Sequence, residues 1–292
     1  MIILLAIQFD GYGWQSNFYI EIADSAVNIG EYVGKTFDEK EIGKFYLETF
    51  NTTEILTALN LETEDENVLF YFHSMWGGVK PYHKNSLKIL NSELNRIDKI
   101  IPVIWHAKSL RYKTNWKNST NPGRAISPMI DSIILNTKNK NFVLCHSMGN
   151  RVFEGVVSGF SGNIRRFETV ILAGADLDVD VFENGFSMLP NYSDKVVIYV
   201  NDKDRLLKTS RFLHKRERLG LSAGPQNEEL SKIGNLEMVD VTHSSSGKLI
   251  SLSQHIYFKN NDAVVQDINH LVSGELASRE LTYRTRNYFD LH

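Results

Sequence analysis

A serine stands where an apolar run gives way to helical spacing, in Asn141-Phe142-Val143-Leu144-Cys145-His146-Ser147-Met148-Gly149-Asn150-Arg151-Val152-Phe153. Phe142 to Cys145 has the pattern of a short buried strand. From Gly149 the apolar residues fall at Val152, Phe153, Val156, Val157 and Phe160, one face of a helix. A serine at the corner of a strand turning sharply into a helix has the form of a nucleophile elbow. The turn would hold the Ser147 hydroxyl clear of the backbone, and the helix N-terminus would offer unpaired N–H groups where negative charge develops in acyl transfer. Cys145 takes the first glycine position of the usual G-x-S-x-G, and Gly149 keeps the second. The plainer reading of Ser147 is a helix N-cap.

A hydroxyl becomes a useful nucleophile when a base takes its proton, usually a histidine oriented by a carboxylate. In an open α/β sheet such groups gather just after the strands. The strand pattern Lys195–Val200 is followed by Asp202 and Asp204, and Thr169–Ala173 by Asp176; position ranks Asp204 first and leaves Asp176 and Asp202 as alternative acids. His243 and His255 both follow Leu236–Val241. Two backbone N–H groups are needed for an oxyanion: Met148, directly after the serine, and Met75, with Ser74 next in line, after the Asn67–Phe72 strand. His106, also at a strand end, reads as a solvated loop residue or a pocket wall. His146 reads as a packing partner beneath the elbow.

These residues need a scaffold, and from residue 67 its rhythm is regular. Strand patterns at Asn67–Phe72, Lys99–Trp105, Thr169–Ala173, Lys195–Val200 and Leu236–Val241 alternate with helical spacing. The helices are predicted over Asn85–Ile97 (Leu87, Leu90, Leu94 and Ile97 on one face), Ala125–Leu135 after a Pro122-Gly123 turn, and Asp262–Leu271. Alternation of this kind implies an α/β class: a mostly parallel central sheet with helices on both faces. A further strand is expected at Ile2–Phe9. Residues 15–65 read as irregular and polar, with short strands around Phe18–Ile22 and Phe45–Phe50. The whole chain is expected to form one domain: a strand extension over 1–65, a core over 67–271 and a tail over 275–292.

Composition narrows the classes of function. The net charge is −3, which gives no general attraction to nucleic acid or anionic membrane. Cys145 is the only cysteine, so no internal disulfide and no cysteine-based zinc site can form. Met1–Ile7 is apolar but lacks a basic flank and a small-residue cleavage site. Nothing is long and apolar enough to span a bilayer, and a cytoplasmic protein without membrane insertion is expected. Gly11-Tyr12-Gly13 follows the first strand pattern, but Ser16 occupies the third glycine position of a dinucleotide fingerprint, so no cofactor is expected there. The basic run Lys203–Arg218 reads as a solvated helix face, or as an electropositive rim for an anionic substrate.

Several stretches taken in order resemble one group within the α/β-hydrolase superfamily, the esterase/lipase-like bacterial hydrolases of largely undefined substrate. They are His73 and Trp105 closing successive strands, His146-Ser147-Met148-Gly149-Asn150-Arg151-Val152, Leu172-Ala173-Gly174-Ala175-Asp176-Leu177-Asp178, Val196–Val200 leading to Asp204-Arg205-Leu206-Leu207, Arg218-Leu219-Gly220, Val239-Asp240-Val241, and His255 with Tyr257. The resemblance runs from about Asn67 to Leu271. It departs at Ser74, where glycine is usual, at Cys145, and at His106, where proline is common. It implies the α/β-hydrolase fold, with Ser147 as nucleophile, Asp204 as acid and His255 as base. The expected activity is a serine esterase acting on a small-molecule acyl substrate, with no metal or organic cofactor. A non-catalytic binding or regulatory protein on the same fold, or an acyltransferase using the same triad, are the alternatives.

Overall fold

The computed structural model describes residues 17–33, 37–62, 65–75, 80–107, 112–186, 188–221, 230, 233–244, 254–285 and 287–291. The strands are β1 (Asn17–Ala23), β2 (Ala26–Val33), β3 (Asp38–Tyr46), β4 (Asn67–Phe72), β5 (Lys99–Ile104), β6 (Lys140–His146), β7 (Phe167–Ala173), β8 (Ser193–Val200), β9 (Leu236–Asp240), β10 (Leu281–Thr285) and β11 (Tyr288–Leu291). They form one 11-stranded sheet in the order β10-β11-β9-β8-β7-β6-β4-β5-β1-β2-β3. From β1 through β5, β4, β6, β7, β8 and β9 to β11 every pairing is parallel. The antiparallel pairings lie at the two edges, β1–β2–β3 and β10–β11.

The central strands are apolar throughout because both faces are covered. Successive side chains point to opposite sides, so Phe70, Phe72, Val143, Cys145, Leu172 and Ile198 enter one core cluster while Leu69, Tyr71, Leu144, Ile171 and Tyr199 enter another. The first cluster takes in residues of α1 (Thr52–Ala58), α4 (Thr120–Leu135) and α5 (Gly149–Val157). The second takes in residues of α2 (Lys80–Glu93) and of the C-terminal helix Asp262–Ser273. The other helices are α3 (Tyr112–Asn118), α6 (Val179–Gly185), α7 (Leu189–Tyr192) and α8 (Arg205–His214).

Strand order reverses at β4, which has β5 on one side and β6 on the other. The crevice beyond the carboxyl ends of β4 and β6 is thus the topological switch point, where open α/β sheets bind their ligands. His73-Ser74-Met75 and Ser147 are the residues that arrive there.

Several boundaries differ from expectation. Ile2–Phe9 and Gly11-Tyr12-Gly13 lie outside the described residues. The described residues between 17 and 62 hold more order than their polarity suggests. The sequence pattern marks no strand at β2, and β3 spans Asp38–Tyr46 rather than 45–50, its mostly exposed side chains belonging to an outer edge strand. The helix expected at Asn85–Ile97 is Lys80–Glu93; Leu94 and Ile97 keep the apolar face in a turn beyond it. Pro122-Gly123 is no turn, because α4 already begins at Thr120. Proline fits the first helical turn, where its missing N–H has no partner to lose. The 275–292 tail supplies β10 and β11, and β11 extends the parallel run beside β9.

Candidate active site

Ser147 sits between β6 and α5 with φ of +56°, a conformation that costs a non-glycine residue roughly 1–2 kcal/mol. Its surroundings hold it there. The Ser147 N–H donates to Ala173 O at 3.0 Å, and its carbonyl accepts from Asp176 N–H at 3.2 Å and Asn150 Nδ2 at 2.9 Å. Gly149 lets α5 start tight against β4, since a Cβ there would lie 2.2 Å from Phe72 O and 2.6 Å from His73 O. Cys145 is fully buried in the core, and burial pushes its thiol well above the ordinary range.

His255 Nδ1 lies 2.5 Å from Asp204 Oδ2. Asp204 is the N-cap of α8, and its other oxygen, Oδ1, accepts from Leu207 N–H at 3.0 Å. One carboxylate thereby starts a helix and orients an imidazole, with the positive end of the helix favouring its charge. With Nδ1–H donating to Asp204, His255 Nε2 is left as the basic nitrogen.

The loop carrying His255 is pinned from three sides. Asn201 Nδ2 donates to Gln254 O at 2.8 Å, and His146 Nε2–H donates to His255 O at 3.0 Å. Tyr257 OH donates to Tyr199 O at 2.9 Å and accepts from Gly174 N–H at 2.6 Å. Gly174 has φ of +51°, and a Cβ there would touch the His255 ring at 3.4 Å.

Ser74, Met75, Ser147, Met148, Asp176 and His255 line one cavity of about 320 Å³, walled further by Leu206, Leu207, Leu213 and Ile256. Among the described residues no hydrogen bond joins the Ser147 hydroxyl to His255; catalytic hydrogen bonds are often long before substrate binds. Met148 is buried at the N-cap of α5, and its amide makes no backbone hydrogen bond among the described residues. The loop that carries Met75 to the same cavity is tied down by His73. That ring stacks on Trp105 at 5.8 Å, Nδ1–H donates to Ser74 O at 2.6 Å, and Nε2 accepts from Trp105 N–H at 3.2 Å. Burial holds His73 down at about 4 and His146 well below the usual histidine range, His146 being lowered further by the neighbouring His255.

The remaining sequence candidates lie elsewhere. Asp176 borders the same cavity but meets Tyr112, Ser210 and Arg218 instead of the imidazole. Asp202 is exposed, with Lys208 at 3.8 Å. His243 is exposed at the turn after β9. His106 faces Glu21 at 2.7 Å and borders a separate cleft. The basic run is only partly a solvated face. Arg211 and Arg216 are exposed and paired with Glu217 and Asp180, whereas Arg218 is buried against Asp178.

Sequence reasoning missed Tyr112 and Ser210 as contributors to this region. Their partners lie 34 to 98 residues away in the chain, so no local spacing marks them. Among the described residues, no group of three or more His, Cys, Asp or Glu is arranged to hold a metal ion, and no helix is long and apolar enough to cross a membrane.

The geometry is that of an elbow serine, an Asp–His pair and a shared cavity at the switch point of a mostly parallel sheet. No curated protein and no solved structure matched the sequence. A family model described as an alpha/beta hydrolase of unknown function (DUF900) matches residues 86–273, a span that holds β5 to β9 together with Ser147, Asp204 and His255, and the chain belongs to that family.

Proposed function

We propose that this α/β hydrolase is a serine hydrolase that cleaves a carboxylic ester or related acyl bond. The observation that carries the reading is the 2.5 Å contact between His255 Nδ1 and Asp204 Oδ2 beside the cavity that Ser147 also lines. Ser147 Oγ attacks the acyl carbon while His255 Nε2 takes its proton. Asp204 holds the imidazole in the required tautomer and stabilises the imidazolium. The Met148 and Met75 amides take the charge that develops on the acyl oxygen. Collapse of the tetrahedral intermediate expels the alcohol, protonated by His255, and leaves an acyl group on Ser147. Water, deprotonated by His255, then releases the acid.

Short aryl esters test this reading directly. An initial burst of phenolate equal to the enzyme present, followed by slower turnover, is expected of an acyl-enzyme. Folded wild-type protein that turns over no ester across a range of chain lengths speaks against it. A second reading, a protein that binds an acyl compound without cleaving it, is favoured by Ser74, which lines the cavity where the hydrolases this chain resembles have glycine. Transfer of the acyl group to an added alcohol, read by product analysis, would distinguish an acyltransferase using the same three residues.

A further inference from the structure

The cavity holds a second buried carboxylate that the proposed reaction does not use. Asp176 Oδ1 accepts from the Ser210 hydroxyl at 2.5 Å, and Oδ2 accepts from the Tyr112 hydroxyl. The Tyr112 and Ser210 oxygens are themselves 2.7 Å apart. All three side chains line the cavity that Ser147 also lines. They come from α3, from the turn after β7 and from α8, so the arrangement is tertiary in origin.

Counting protons shows what is missing. Each hydroxyl has one proton to give, whereas the three oxygen–oxygen contacts among Tyr112, Ser210 and the Asp176 carboxylate call for three, so one acceptor of the group is left without a proton. A ligand group that donates a hydrogen bond fits there; one that only accepts does not. Charge selects further. Asp176 has Arg218 Nε at 3.5 Å, and Arg218 also pairs with Asp178. The carboxylate at the cavity already faces a buried guanidinium, so a neutral donor suffices.

We propose that Tyr112, Asp176 and Ser210 form a hydroxyl-binding subsite, and that the ester accepted by this protein carries a free hydroxyl in its acyl or its alcohol part. The ester rests on the hydrolase reading; the subsite does not need turnover. Binding is therefore measured by calorimetry in Ser147→Ala protein with matched pairs. Ethyl 3-hydroxybutanoate against ethyl 3-methoxybutanoate probes the acyl side, and glycerol 1-butanoate against its dimethyl ether probes the alcohol side.

In at least one pair the hydroxyl compound binds about tenfold or more tightly, as expected where buried polar groups are otherwise left unpaired. That ratio falls to about one when Tyr112→Phe or Ser210→Ala is added. The pair that shows the ratio tells which part of the ester carries the hydroxyl. Equal or undetectable binding within both pairs overturns the proposal, as does a ratio that survives both substitutions. Thermal melts check folding, and Ser210→Ala carries the test if Tyr112→Phe does not fold. Wild-type protein that hydrolyses no ester while the ratio persists removes the hydrolase reading and leaves the subsite standing.

Discussion

Asp204 and Asp176 follow adjacent strands, β8 and β7, and both are buried where they approach one cavity. Asp204 meets one imidazole and the first turn of a helix; Asp176 meets two hydroxyls and a guanidinium. The same carboxylate at equivalent strand ends is thus set to different work by its donors. An imidazole beside Asp204 gives a base whose tautomer the acid can fix. Hydroxyls beside Asp176 have no basic nitrogen to present, which in the proposed reading leaves that end of the cavity to recognition.

The contrast is broken most strongly at the serine. Ser147→Ala should lower ester turnover by roughly 10⁴–10⁶, because triad members act as a unit; initial rates on an aryl ester measure it. Asp204→Asn should lower kcat by about 10⁴, through the wrong imidazole tautomer, while leaving the melting temperature near that of wild type. Asp176→Asn should cost at least tenfold less in kcat than Asp204→Asn on the same ester, and should act mainly on KM for hydroxylated esters. Equal losses from the two asparagines would erase the distinction.

Smaller effects sharpen it. Gly174→Ala sets a Cβ against the His255 ring and forces alanine to φ of +51°. Turnover should fall about 10- to 100-fold through displacement of the imidazole, with at most 1–2 kcal/mol lost from stability for the backbone strain. Stability itself should depend on pH through His73. Buried at about 4 against 6.5 for an ordinary histidine, it is neutral in the folded protein while the unfolded chain binds a proton below about 6.5. The unfolded state therefore holds more protons between about pH 6.5 and 4, and stability falls as pH falls through that window, by about 3 kcal/mol from this group alone. Urea unfolding at pH 7 and pH 5 measures the slope, and a flat profile would contradict a buried neutral His73.

The central strands and the order of the candidate residues were legible because burial on both faces writes long apolar runs, and strand ends follow them directly. Val196–Val200 ending before Asp204 is an example: the run marks the strand and the fold rule marks its exit. The edges were not legible. Asp38–Tyr46 is a strand with mostly exposed side chains, so hydrophobic spacing carries no trace of it, and its order comes from pairing with β2. Pro122-Gly123 misled because proline suits the first turn of a helix as well as a β-turn, and Gly123 serves the close approach of α5, where a Cβ would lie 1.8 Å from Val152 O. Arg218 looked like one more cation in a basic run, and only the fold sets it against Asp178 and near Asp176. The choice between His243 and His255 lay beyond spacing too, since both follow β9; contact with Asp204 separates them.

The most direct measurement is labelling of folded wild-type protein with a fluorophosphonate probe, read by intact mass and peptide mapping. A single adduct on Ser147 is expected, forming far more slowly in His255→Ala and Asp204→Asn. Folded protein that stays unmodified at Ser147 would contradict a serine activated by His255 and Asp204.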